Sequence, residues 1–246
     1  MYPMATLQEV IDLAKATRAA NPRSTLTIYP ETKNPIYQRA LGVPLEEKLL
    51  AMLDKEGWNT HDSPVFVQSF EPESLKLMRR LGLKTKVVQL MDGDGTDFKT
   101  GVMTYGSPDT AKPFSWLQKG DPRTFAAMAT PEGLAEVKTY ADGIGPWKLY
   151  ILPPQGVDAA GNAVKKLSDA SNMAPTSLIT DAHRLGLFVH PFTYRDEPAR
   201  LTRTYGGDPK AEYKAYFELG VDGVFTDFTP TARAALNEWL AVKQNK

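Results

Sequence analysis

Short apolar segments alternate with helical patterns along this chain, and that alternation limits the folds open to it. Six such segments are found, at about residues 25–29, 65–70, 86–90, 143–146, 187–192 and 223–228. Strands that are separated by helices pair in parallel, because each crossover returns the chain to the same end of the sheet. The pattern predicts an α/β fold with a parallel sheet, either doubly wound or closed as a (β/α)8 barrel.

Capping residues and helical periodicity predict where the intervening helices begin. Thr6 and Glu9 form a capping-box pattern, and apolar residues follow at helical spacing to about Ala20. Further helix starts are predicted at Leu45, Pro72, Asp121-Pro122, Thr130-Pro131, Pro175, Asp208-Pro209 and Thr229-Pro230. Two stretches, at about 91–120 and 147–173, lack this periodicity. They are predicted to be irregular insertions in a single domain that spans residues 1–246.

Polar residues at the ends of several strands favour the barrel over the doubly wound sheet. They are Glu31, Lys33, Gln68, His190 and Asp227. Barrel enzymes build their sites from the carboxyl ends of several strands, whereas the chain has no Gly-x-Gly-x-x-Gly or P-loop pattern after its first strand. Since only about six strand–helix units are found, the sequence predicts an incomplete TIM-type barrel in which the first two units are missing.

The balance of charge and the lack of cysteine exclude several classes of function. Lysine plus arginine and aspartate plus glutamate each number 29, so no net charge attracts nucleic acid. The absence of cysteine excludes thiolate catalysis and zinc–thiolate sites. No apolar run approaches the roughly 20 residues that a membrane span needs. The N-terminus lacks the pattern of a signal peptide, so the residues themselves leave the compartment open.

Six segments, taken in order, resemble the glycerophosphodiester phosphodiesterases, most closely the periplasmic bacterial type. They are Tyr-Pro-Glu-Thr-Lys at 29–33, Val-Gln-Ser-Phe at 67–70, Val-Gln-Leu at 88–90, Tyr-Ala-Asp-Gly-Ile-Gly-Pro at 140–146, Val-His-Pro-Phe-Thr at 189–193 and Gly-Val-Asp-Gly-Val-Phe-Thr-Asp-Phe at 220–228. The resemblance implies a (β/α)8 barrel that hydrolyses a glycerophosphodiester to glycerol 3-phosphate and an alcohol. It also implies a calcium or magnesium ion and a periplasmic or secreted location.

The resemblance assigns roles to the five polar residues at the strand ends. Glu31 matches a metal-binding carboxylate, and Lys33 matches the cation that faces the phosphate. Gln68, His190 and Asp227 are expected near the substrate. Each has a structural alternative: Glu31 and Lys33 could form an ion pair, and Gln68 could bond to an adjacent strand end. His190 could be a hydrogen-bonded core residue, and Asp227 could cap the next helix.

The chain also departs from the family pattern. In the family, the His-Arg-Gly, Glu-x-Asp and early His-Asp motifs precede the segment that corresponds to the first helix of this chain. None of these motifs precedes that helix here. His61-Asp62 is predicted to lie at the amino-terminal rim of the barrel, away from the site, and His183 at the surface. The catalytic histidines and two metal carboxylates are therefore predicted to be absent. The chain would be an enzyme by family but inactive alone, with weak or no metal binding.

A second interpretation is that the chain is a non-catalytic module that binds glycerol phosphate or depends on a partner. An incomplete barrel would leave strand edges exposed, so self-association through an edge is a further expectation. The acidic stretch Asp92–Asp97 lacks the glutamate of a calcium loop at its twelfth position, which is Met103, and is predicted to be a flexible turn. Tyr105, Trp116 and Trp147 are predicted to anchor the insertions.

Overall fold

The computed structural model describes residues 4–244, which form two compact units. The first unit comprises the chain up to Gln89 together with Tyr140–Asp142. The second unit comprises Leu90–Thr139 and the chain from Gly143 onward. Within the described residues no helix is both long enough and apolar enough to cross a bilayer. The single domain inferred from the sequence stays a prediction.

The first unit packs four helices around parallel strands. The helices are α1 (Leu7–Ala20), α2 (Pro35–Ala40), α3 (Leu45–Lys55) and α4 (Pro72–Arg80), and the strands are β1 (Phe66–Ser69) and β2 (Lys86–Met91), which begins in this unit. β1 and β2 pair in parallel, with Phe66 opposite Lys86 and Ser69 opposite Gln89. Ile11, Leu53, Val67, Leu75 and Met78 are fully buried between strands and helices. The parallel α/β arrangement predicted for this part of the chain is confirmed.

The capping box of α1 is confirmed, because the Thr6 side chain accepts from the backbone N–H of Glu9 and the Glu9 carboxylate accepts from that of Thr6. α3 and α4 also begin as predicted, at Leu45 and Pro72. α2 was not predicted. It begins after Asn34, which takes the left-handed conformation with φ of 47° and therefore turns the chain directly into the helix.

The predicted strand at 25–29 is replaced by two isolated parallel bridges. Ile28 pairs with Val65, and Glu31 pairs with Gln68. The backbone N–H of Ile28 donates to the Pro64 carbonyl, and that of Thr32 donates to the Gln68 carbonyl in β1. Pro30 stands between them and has no N–H to donate. The ladder is therefore interrupted at its centre, although Pro30 still accepts a hydrogen bond from Gln68.

The second unit contains a parallel strand pair, β5 (Gly143–Pro146) and β8 (Phe188–Val189). Phe188 lies over Gly143 so closely that a Cβ added there would stand 2.3 Å from its ring, which requires glycine at this position. The predicted strand at 187–192 is shorter than expected. Its backbone continues the pairing, however, because His190 donates to Ile144 and Phe192 donates to Pro146.

The predicted strand at 223–228 is wrong as a regular strand, and only a parallel bridge between Tyr194 and Thr226 is formed. Asp222 donates its N–H to Val189, but the next bond to this neighbour comes from Phe225, to Pro191. The step between the two donors is three residues instead of two. The extra residue makes a bulge beside Gly223, which breaks the ladder.

The larger helices of the second unit are α8 (Pro131–Lys138), α9 (Leu178–Arg184), α10 (Pro209–Leu219) and α11 (Thr229–Gln244). The starts of α8, α10 and α11 agree with the prediction, whereas α9 begins three residues after Pro175. The start at Asp121-Pro122 is wrong. The Asp121 carboxylate binds Arg123 instead of capping a helix, and the chain becomes helical only at α7 (Phe125–Met128).

The two stretches predicted to be irregular contain short regular elements. The first holds the antiparallel pair β3 (Gly95–Thr96) and β4 (Met103–Thr104), followed by α5 (Pro108–Ala111) and α6 (Phe114–Gln118). The second holds the antiparallel pair β6 (Pro154–Gln155) and β7 (Ser171–Asn172) and two short 3₁₀ helices. Such two-residue strands carry too few residues to show a period in the sequence.

Candidate functional site

Glu31 and Lys33 lie together at the end of the segment that pairs with β1. The Lys33 Nζ is 3.1 Å from a carboxylate oxygen of Glu31, and the exposed fractions of their side chains are 75% and 18%. The ion pair weighed as the structural alternative is thus present. Because the Lys33 side chain is largely exposed, water screens its attraction to Glu31, and a ligand can displace the ammonium at little cost.

Gln68 is buried opposite Glu31 in the parallel bridge. Its backbone donates to Pro30 and accepts from Thr32. Within the part of the chain that the structure describes, its side-chain carbonyl oxygen is buried and accepts no hydrogen bond. An unsatisfied buried acceptor costs about 1–3 kcal/mol, and an O–H or N–H group of a ligand would relieve that cost.

A small cavity of about 130 Å³ adjoins the Glu31–Lys33 pair. Its lining consists of Glu31, Thr32, Lys33, Asn34, Ser69, Phe70 and Glu71. Ser69 fixes one wall, because its hydroxyl donates to the Thr32 carbonyl at 2.9 Å and accepts from the Glu71 N–H at 3.2 Å. The sequence analysis did not identify Glu71, which is buried and lies two residues beyond the end of β1.

The carboxylates of Glu31 and Glu71 are the hard oxygen donors that a calcium or magnesium ion takes. Magnesium is usually held by one or two carboxylates together with phosphate oxygens of a substrate, and the cavity wall matches that mode in donor type. Residues 4–244 contain no group of three His, Cys, Asp or Glu side chains that could hold an ion. The described residues therefore fit part of an ion's coordination shell.

Asp227 lies in the second unit, on a cavity of about 330 Å³ that sequence reasoning did not foresee. The lining consists of Trp147, Lys148, Leu149, Leu167, Thr193, Arg195, Arg200 and Asp227. Trp147 directly follows β5, Thr193 comes four residues after the end of β8, and Asp227 lies in the bulged segment. The Arg195 Nη1 donates to Asp227 at 2.8 Å, and its Nε and Nη2 donate to Glu197. Asp227 thus binds an arginine, whereas helix capping was the alternative.

A buried ion pair supports the wall of this second cavity. The Lys148 Nζ lies 2.7 Å from both carboxylate oxygens of Glu212, and both side chains are almost wholly buried. Burial lowers the pKa of Lys148 and raises the pKa of Glu212, while the charge of each partner opposes the shift of the other. The Lys148 backbone is held as well, since its N–H donates to Phe192 and its carbonyl accepts from the Tyr216 hydroxyl.

His190 is packed in the sheet of the second unit. Its ring lies 4.6 Å from the ring of Phe188, and a Cβ added at Gly223 would stand 2.8 Å from its Cδ2. The ring is half-buried and has an aromatic neighbour on one side and a glycine backbone on another. His190 is therefore packed against its neighbours in the sheet. Its expected place near the substrate stays a prediction.

The other two histidines lie at the surface, which was predicted for His183. His61 is largely exposed, with Nδ1 3.0 Å from Asp62. The His183 Nε2 is 2.9 Å from an oxygen of Asp222, and that oxygen also accepts the N–H of Val189. Asp222 therefore links α9 to β8, and His183 contributes to that link.

The aromatic residues predicted to anchor the insertions make such contacts. The Tyr105 and Tyr150 hydroxyls are 2.6 Å apart, and Tyr150 donates to the Asp92 carbonyl. Trp147 covers Gly93, where an added Cβ would stand 2.3 Å from the indole. Trp116 is buried and stacks on Arg123. In the acidic stretch, Asp94 accepts hydrogen bonds from Gly106 and Thr110, so it joins two parts of the insertion.

Comparison with known proteins identifies relatives among the glycerophosphodiester phosphodiesterases. The model of the glycerophosphoryl diester phosphodiesterase family matches residues 2–231. Glycerophosphodiester phosphodiesterase GDPD6 of Arabidopsis thaliana is 32% identical over 241 residues, which cover 93% of this chain and 54% of the relative. A glycerophosphodiester phosphodiesterase of Haemophilus influenzae is 29% identical over 217 residues, which cover 83% of this chain and 50% of the relative. The chain thus spans about half the length of these curated relatives.

A solved structure shares the fold. A Silicibacter pomeroyi protein assigned to the glycerophosphoryl diester phosphodiesterases aligns with 94% of this chain and 56% of its own, with a TM-score of 0.54 and 17% identity. The likeness agrees with the parallel α/β class. The predicted loss of the family's first strand–helix units finds no support, because the family match begins at residue 2. The incomplete barrel stays a prediction.

The contact between Arg195 and Glu197 leads to a prediction about pH. The Arg195 guanidinium lowers the pKa of Glu197 from 4.5 to about 2. Replacing Arg195 by methionine should return that pKa toward 4.5, as followed by carboxyl ¹³C NMR. Because the folded pKa is lowered, the stabilising contribution is present above pH 4.5 and is lost as the pH falls toward 2. Arg203→Met is the matched control and should leave Glu197 unchanged. A wild-type Glu197 that titrates near 4.5 would contradict the assignment.

Proposed function

The chain belongs to the glycerophosphoryl diester phosphodiesterase family, and we propose on that basis that it binds a glycerophosphodiester for hydrolysis to glycerol 3-phosphate and an alcohol. The observation that supports this most directly is the group formed by Glu31, Lys33 and the adjoining cavity. It combines an accessible ammonium with carboxylates at the end of a parallel segment, which is where α/β enzymes place their sites.

Lys33 is proposed to bind a non-bridging phosphate oxygen. Its side chain is mostly exposed, so its Nζ can leave Glu31 and reach a ligand without loss of packing. A lysine acts on phosphate as a point charge and donates up to three hydrogen bonds. Gln68 is proposed to orient the substrate through its unsatisfied carbonyl oxygen, which would accept a hydrogen bond from a substrate hydroxyl.

Glu31 is proposed to ligate a calcium or magnesium ion, with Glu71 on the same wall. When bound, such an ion polarises the phosphoryl oxygens and stabilises the charge that develops in the transition state. The residues of this chain would bind and orient the substrate. Lys33 would hold the phosphate, and its departure from Glu31 would free the Glu31 carboxylate for the ion.

Among the described residues, the three histidines are poorly placed to transfer protons to or from a substrate. His61 and His183 are engaged with Asp62 and Asp222 at the surface, and His190 is packed against Phe188 and Gly223. General acid–base catalysis contributes about 10²–10⁴-fold in rate. We therefore propose that the chain alone binds its substrate but turns it over slowly. A purely binding or partner-dependent module is the second candidate, and a periplasmic or secreted location remains a prediction.

Binding is tested by titration calorimetry with glycerol 3-phosphate. Lys33→Met should weaken the affinity about tenfold or more, since a hydrogen bond to a charged group contributes about 1.5–3 kcal/mol. Lys84→Met, an exposed lysine of the same unit, is the control and should bind as wild type does. Equal affinities of wild type and Lys33→Met would remove Lys33 from the site.

Turnover separates the enzyme from the binding module. With calcium and glycerophosphocholine we expect a kcat below about 0.1 s⁻¹, because enzymes commonly reach about 10 s⁻¹ and the acid–base contribution is missing. Slow turnover that disappears in Glu31→Gln would indicate a weakened enzyme, whereas no turnover with retained binding would favour the module. A kcat near 10 s⁻¹ would refute slow turnover. It would mean that one of the residues described above donates a proton during the reaction.

A further inference from the structure

An apolar groove of about 240 Å³ lies beside the Glu31–Lys33 group, within the first unit. Its apolar lining consists of Leu7, Pro30, Leu45, Leu49 and Met52, and Glu31, Thr32 and Lys48 complete it. Leu7, Leu45 and Met52 are only half-buried, so the groove is open to water. Concave sites with mostly apolar walls and a few polar groups are typical of small-molecule binding.

The groove and the polar cavity share part of their walls. Glu31 and Thr32 line both of them. Thr32 is buried, and its N–H donates to the Gln68 carbonyl at 3.1 Å, so the shared wall is fixed by the sheet. A ligand whose phosphate is bound by Lys33 therefore has an apolar surface directly beside it.

The charges at the rim suit an anionic head group with an apolar tail. Lys48 lies exposed in the first turn of α3, and Lys33 lies exposed on the other cavity. Apolar surface also continues along α1 beyond the groove. Val10 and Leu13 follow Leu7 at intervals of three residues and are 40% and 69% exposed. Residues at this spacing lie on one side of a helix.

We propose that this groove binds the hydrocarbon chain of a single-chain phosphate ester whose phosphate is held by Lys33. The inference rests on the proposed function and narrows its substrate to glycerophosphodiesters whose alcohol carries the hydrocarbon chain, so that hydrolysis releases that alcohol and glycerol 3-phosphate. Chain-free glycerophosphodiesters would bind through the polar cavity alone, and therefore more weakly.

The test is titration calorimetry of the whole chain with ethyl, butyl and hexyl phosphate, below the concentration at which they form micelles. Each methylene that becomes buried should increase the affinity by up to about fourfold. The affinity should therefore rise about tenfold for each step of two carbons. Hexyl glucoside, which has the chain without the phosphate, should bind at least about tenfold more weakly than hexyl phosphate.

Two tryptophan variants locate the chain. Met52→Trp fills the groove and should reduce the affinity for hexyl phosphate to that for ethyl phosphate. Ala51→Trp, on the exposed side of the same helix, is the matched control and should retain the full dependence on chain length. Leu45→Glu at the groove rim is a second blocking variant if Met52→Trp does not fold. Lys33→Met should weaken all three phosphates by the same factor.

The outcomes separate this inference from the proposed function. Equal affinities along the series, with a loss in Lys33→Met, would overturn the groove and leave the phosphate site standing. If hexyl glucoside binds as tightly as hexyl phosphate, or if Lys33→Met leaves the affinities for all three phosphates unchanged, both the anionic ligand and the role of Lys33 would be overturned. Retention of the dependence in both Met52→Trp and Leu45→Glu would place the chain elsewhere and overturn the inference.

Discussion

The parallel pairing of residues 28–32 with β1 is the constraint on which the first unit's site depends. Backbone bonds on either side of Pro30 hold the segment in register, so that Glu31 is opposite Gln68. Side chains alternate along an extended segment, and Glu31 and Lys33 therefore point to the same side. A shift of one residue would turn both away and direct Pro30 and Thr32 there instead.

The second unit depends on buried charge in a comparable way. Lys148 and Glu212 are both removed from water, and the cost of that burial is offset chiefly by their mutual attraction and close geometry. The Lys148 ammonium also lies 3.4 Å from the Arg200 carbonyl and over the ring of Tyr194. Removing one partner would leave the other charge buried and unpaired, which typically costs about 3–5 kcal/mol. The pair fixes the chain directly after β5, where Trp147 lies over Gly93 and the cavity with Arg195 and Asp227 begins.

Much of the fold could be predicted from the sequence because local physics determines it. The capping residues Thr6, Thr130 and Asp208 set helix starts that the structure reproduces. The failures have specific causes: Pro30 cannot donate to the ladder, and an extra residue at Gly223 breaks the last strand. Asp121 was misread because its carboxylate binds Arg123, a choice between partners that spacing alone cannot decide. Glu71, Arg195 and Lys148 emerge only from tertiary contacts.

The central claim is that Glu31 and Lys33 exchange their mutual ion pair for an ion and a phosphate. A crystal structure of the chain with manganese and glycerol 3-phosphate tests it most directly, since manganese is located by its anomalous scattering. We expect a manganese peak within about 2.5 Å of a Glu31 carboxylate oxygen. We also expect a phosphate oxygen within about 3 Å of the Lys33 Nζ. An intact Glu31–Lys33 ion pair, with both ligands bound elsewhere, would contradict it.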